Sequence, residues 1–91
     1  MRWKLKVQDG AKLEIGRLPI EDLVEEAVAI IEDLAEDPFP GDELMMRKYK
    51  DQYRIRFGSE AYRIVYRVDL KQRVVTILRV RPRATAYRGM R

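Results

Sequence analysis

Three arginine-studded segments near the C-terminus constrain this chain most. Residues 52–57 (QYRIRF), 61–68 (AYRIVYRV) and 73–81 (RVVTILRVR) each read as a β-strand. The links between them, Gly58-Ser59-Glu60 and Asp69–Gln72, are turns. Turns this short join only antiparallel neighbours. Ninety-one residues allow one domain, residues 1–91, with a thin core. That domain must therefore be built around this meander.

Side chains alternate between the faces of a strand, so parity sorts them. Tyr53, Ile55 and Phe57 share a face with Tyr62, Ile64, Tyr66 and Val68, the expected core. Arg54 and Arg56 then point the other way, with Arg63 and Arg67 as candidates beside them. On the last strand Arg79 and Arg81 have the parity of Val75 and Ile77. If that parity matches the arginine face, one concave surface carries Arg54, Arg56, Arg63, Arg79 and Arg81. Arg83 and Tyr87 lie just past its end.

Upstream, residues 2–7 alternate Trp3, Leu5 and Val7 with Arg2, Lys4 and Lys6, a strand with one wet face. Asp9-Gly10 then signals a hairpin, followed by Leu13 and Ile15. A short helix over residues 11–18 is the rival reading, weakened by Gly10 and Gly16. Residues 19–36 are the clearest helix. Ile20, Leu23, Val24, Ala27, Ile30, Ile31 and Leu34 form one apolar stripe, and Asp37-Pro38 ends it. Its outer face is acidic, including a C-terminal end that opposes the helix dipole; a basic neighbour would explain that. Leu44 and Met45, in the connector, are expected to cover one edge of the core. The fold class expected is α+β: a four-stranded, antiparallel sheet of mixed order with an N-terminal helix packed on one face.

The net charge of +4 conceals a split, −7 over residues 1–44 and +11 over residues 45–91. Such asymmetry points to one surface meeting a polyanion. Phosphate matches the guanidinium fork bidentately, and a tyrosine such as Tyr87 can stack on an unpaired base. The alternative is that individual arginines pair with helix acids or lie along the sheet. For the whole set that is weak, because residues 45–91 contain only Asp51, Glu60 and Asp69 as acids.

Several chemistries are excluded or disfavoured. There is no histidine, no cysteine and a single serine, Ser59. Serine triads, thiolate chemistry and disulfides are thereby ruled out, and a metal site would have to be all carboxylate. No metal or other cofactor is expected. No apolar run reaches the roughly 18 residues of a membrane span. The chain suits a reducing cytoplasm.

The strings YRIRFGSEAYRIVYRVD (53–69) and VVTILRVRPRATAYR (74–88) resemble the RelE/ParE toxin superfamily. The helix and the EDPFP break at residues 36–40 fall in the same order. The resemblance implies the RelE-like fold. In its RNA-cleaving branch it implies an mRNA interferase, in which a ribose 2′-hydroxyl attacks the neighbouring phosphate at the ribosome without a metal. Carried over by position, Arg63 clamps phosphate, Arg81 stabilises charge building on the scissile phosphate, and Tyr87 stacks on or orients the substrate. Arg54, Arg56, Arg79 and Arg83 supply further phosphate contacts. The best-known members carry lysine where this chain has Arg54 and Arg56, and arginine does not give up its proton. The general base is therefore open among Tyr87, Lys48, Lys50 and Glu60, unless placement and electrostatics alone suffice. The resemblance also implies a RelB-like antitoxin, contact with ribosome and mRNA but not membrane, and often a toxin–antitoxin heterotetramer. The alternatives are a ParE-type gyrase poison of the same fold and a non-catalytic nucleic-acid-binding module.

Overall fold

The computed structural model describes residues 2–41, 43–46 and 49–83. Its elements are β1 (Lys4–Val7), α1 (Asp9–Gly16), α2 (Glu21–Glu36), β2 (Leu44–Met45), β3 (Gln52–Phe57), β4 (Tyr62–Asp69) and β5 (Val74–Pro82). The sheet has five strands in the order β1-β5-β4-β3-β2, antiparallel except for β1 beside β5. The three strands of the meander lie where alternation placed them. The α+β class holds, with one strand and one helix more than expected.

The extra helix replaces the hairpin. Asp9-Gly10 opens α1 instead of turning the chain back. The cause is topological: β1 runs parallel to β5, so the chain must cross over before it re-enters the sheet. Ala11 is wholly buried in the core, with Ile15 and Leu18 packed against it. That burial outweighs the roughly 1 kcal/mol that each helical glycine costs. The extra strand comes from the connector. Leu44 and Met45 do not cover the core edge; they pair with Arg54 and Tyr53 as a short, exposed edge strand.

In α2, Leu23, Ala27, Ile30, Ile31 and Leu34 pack into the core as the stripe requires. Ile20 does not join them: it is the extended residue just before the helix and is exposed. Glu36 at the C-terminal end has its basic neighbour in Arg2, 3.5 Å away. The pair is exposed, so it relieves the unfavourable dipole without adding much stability.

Both helices cover one sheet face, formed by Ile55, Phe57, Ile64, Tyr66, Val68, Val75, Ile77 and Val80. Here simple parity fails on β5. A register shift between Val65 and Tyr66 makes Tyr66 face Ile77 and Val65 face Arg79, leaving Leu78 as the extra residue of a β-bulge. Val75 and Ile77 therefore point into the core beneath the helices, whereas Arg79 and Arg81 leave β5 on the other face, where Glu14 of α1 meets them beside the strand. The expected shared parity of these four residues is wrong, and the bulge is what brings the two arginines to the basic face.

The β3–β4 turn carries three consecutive left-handed residues, Gly58, Ser59 and Glu60, with φ of 60°, 54° and 70°. Glycine is needed at the first. A Cβ on Gly58 would lie 2.7 Å from Leu23 Cδ2 and 3.1 Å from Tyr62 Cδ1. The Gly58 N–H donates to Glu26 Oε1 at 3.2 Å, tying the turn to α2.

Tyr66 is fully buried and its hydroxyl donates to the Pro38 carbonyl at 2.8 Å. Burial pushes its pKa far above the usual tyrosine value, with smaller contributions from Glu43, Tyr53 and Asp37. The folded state thus keeps a proton that the unfolded chain loses above about pH 10. Fewer bound protons in the unfolded state mean that stability falls as pH rises, here by up to about 1.4 kcal/mol per unit. Denaturant midpoints measured between about pH 8 and 11 should show this slope. Tyr66→Phe should remove this component while costing about 1–3 kcal/mol at neutral pH, because the Pro38 carbonyl loses its donor.

Candidate functional site

The sheet face away from the helices is basic, and strand register arranges it in rows. Arg56 of β3, Arg63 of β4 and Arg81 of β5 are direct cross-strand partners. The next row is Arg54, Val65 and Arg79, and the third is Gln52, Arg67, Thr76 and Lys6. Adjacent strands lie about 4.8 Å apart, so each row sets its side chains side by side. Arg54, Arg56, Arg63, Arg79 and Arg81 are thus brought to one face, as expected. Arg83 continues the pairing through its N–H to the Ala61 carbonyl at 2.8 Å, and its side chain is exposed.

The face is wider than the arginine set alone. Lys4 and Lys6 of β1 extend it, paired with Val74 and Thr76 of β5. Sequence alternation marked both lysines as lying on a wet face. Only the β1·β5 pairing shows that this face is continuous with the arginines.

The first row is held in place at each position. Arg56 Nη1 donates to Glu60 Oε1 at 2.5 Å. Arg63 is only 6% exposed; its Nη1 donates to the carbonyls of Glu60 and Tyr62 at 2.8 and 3.2 Å. Its Nε is buried without a hydrogen-bond partner. Arg81 donates through Nε to Glu14 of α1, and Arg79 Nη1 lies 3.7 Å from the same carboxylate. Pairing with a helix acid is therefore realised for these two arginines, through a helix that the sequence did not assign.

Of the candidates for moving a proton, Lys50 and Glu60 fall within the described residues. Tyr87 and Lys48 lie outside the described residues. Lys50 is exposed in the turn before β3, and Glu60 is engaged by Arg56. Tyr66, locked in its neutral form on the opposite face, cannot serve. Among the described residues no three acidic, histidine or cysteine side chains gather as metal ligands, and no helix is long and apolar enough to cross a membrane. What the geometry offers is an array of guanidinium hydrogen-bond donors of the kind that suits phosphate, which gives affinity without reading sequence.

Comparison with known proteins places the chain in a family. The profile described as the ParE toxin of the type II toxin–antitoxin system parDE matches residues 10–87. No curated protein matches the chain in sequence. Among solved structures, the archaeal RelE–RelB complex from Pyrococcus horikoshii aligns with a TM-score of 0.77 and 26% identity, covering 94% of this chain and 100% of that one. The isolated RelE toxin of E. coli gives 0.74 and 25% over 88% of this chain and 83% of that one. A RelBE toxin–antitoxin complex from Mycobacterium tuberculosis gives 0.71 and 25%, covering 91% and 100%. The chain belongs to the RelE/ParE superfamily, as a member of the ParE toxin family of type II toxin–antitoxin systems.

Proposed function

We propose that this toxin is a ribosome-dependent mRNA interferase that cleaves by attack of a ribose 2′-hydroxyl on the adjacent phosphate. The observation that carries this reading is the Arg56–Arg63–Arg81 row, in register across three strands and flanked by Arg54 and Arg79. Glu60 and Glu14 meet the two ends of the row, but among the described residues Arg63 at its centre donates only to backbone carbonyls, and phosphate is an anion whose geometry the guanidinium fork fits. Arg63 and Arg81 are assigned to the reacting phosphate, where donors aimed at developing charge accelerate transfer. Tyr87 is assigned to stacking on or orienting the substrate. Arg54, Arg56, Arg79 and Arg83 hold flanking phosphates, with Lys4 and Lys6 as outlying contacts. No metal or cofactor has a step in this scheme. A RelB-like antitoxin is the partner, shielding the basic face, and a heterotetramer of two toxins and two antitoxins is the assembly proposed.

A second reading is a gyrase poison, favoured by the family description under which residues 10–87 match. Expression of the toxin without its antitoxin separates the two. Growth arrest with messages cut within translated frames supports the interferase. Intact messages together with DNA breaks would overturn it in favour of the gyrase poison.

A further inference from the structure

Carboxylates hold the arginine row at both ends, and the two ends differ. Glu60 reaches Arg56 from an exposed turn. The Glu14 side chain is only 12% exposed. Pairing with β1 stops at Ile77, and past that point Glu14 takes the strand's place along β5. Its Oε1 accepts the Val80 N–H at 2.8 Å, and its Oε2 accepts from Arg81 Nε. Each oxygen faces its own donor. A glutamine could accept only one of the two, because its amide would turn N–H against N–H.

We propose that Glu14 is a positioning residue of the basic face. It anchors Arg81 in line with Arg63, and Arg79 one row further along, so that an RNA phosphate meets these two guanidinium groups already in place. The anchor stands on geometry alone; its consequence for RNA rests on the function proposed above. A buried anion at the end of the row offsets the repulsion among the arginines in the absence of substrate. It also removes side-chain freedom that binding would otherwise have to freeze out. Glu14 touches no substrate and acts through Arg81.

The test compares the full-length toxin with Glu14→Gln by two readouts. The first is the Nε–H NMR signal of Arg81, expected to be resolved and slow to exchange in the parent and collapsed into fast exchange in the variant. The second is message cleavage on translating ribosomes, expected to fall about 10- to 100-fold in rate constant, with ribosome affinity changed less than about threefold. An unchanged Nε–H signal overturns the anchor. A collapsed signal with undiminished cleavage overturns the positioning role. A parent that cleaves no message counts against the function proposed above, and the anchor then stands or falls on the NMR signal. If Glu14→Gln does not fold, Glu14→Asp answers instead. It keeps both oxygens and the charge but is one methylene short, and should show the same two losses in weaker form.

Discussion

Replacing Arg81 with alanine should lower message cleavage by about 100- to 1000-fold, the usual cost of losing one donor aimed at developing charge. The side chain sits at the β5 end of the first arginine row, next to Arg63, and is 28% exposed, open enough to meet a substrate. The fold should survive. Glu14 keeps the Val80 N–H and the nearby Arg79, so the stability lost is about 1–3 kcal/mol. A domain of this size has roughly 5–14 kcal/mol in hand. Arg81→Lys should not restore activity, since an ammonium cannot engage Glu14 through Nε while presenting a planar fork to phosphate. Single-turnover cleavage on translating ribosomes, with a melting curve of the same sample, checks both parts. A folded Arg81→Ala variant that cleaves within about threefold of the parent would remove Arg81 from the reaction.

The meander was legible because its alternation has period two and its turns are short, and both are local properties. Helix α2 was legible for the same kind of reason: one stripe, closed by Asp37-Pro38. What escaped depends on who lies beside whom. Asp9-Gly10 carries the local signature of a hairpin, and only the parallel pairing of β1 with β5 turns it into the start of a helix. Residues 44–45 are too short to announce a strand and exist as one because β3 offers an open edge.

The candidate site shows the same division. Arg54, Arg56 and Arg63 followed from parity within one hairpin. Arg79 and Arg81 reach that face only through the bulge at Leu78, which no local signal marks. Glu14 was invisible as a partner of Arg81 while its segment was read as a strand. Lys4 and Lys6 lay on a recognised wet face, yet their continuity with the arginines is a fact of sheet order.

Arg63→Met should make the protein more stable and less active. Arg63 is almost completely buried, flanked in register by Arg56 and Arg81, and meets backbone carbonyls through Nη1 while its Nε is buried without a hydrogen-bond partner. Burying a charge with incomplete hydrogen bonding is expensive, and an apolar side chain of similar length in its place is often neutral or stabilising. The carbonyls that lose their donor belong to exposed Glu60 and half-buried Tyr62, where water can replace it. A net gain of about 1 kcal/mol corresponds to a rise in Tm of roughly 4–8 °C for a domain this small. Cleavage should nevertheless fall by about 100-fold or more, because the centre of the row no longer carries a donor. Its burial also requires the face to open locally before a phosphate reaches it, so the group is costly at rest and useful only in the complex. A structural strut would behave in the opposite way: Tm would drop, and activity would fall only as far as folding does. Melting curves and single-turnover cleavage of Arg63→Met decide between a cation kept for phosphate and one kept for the sheet.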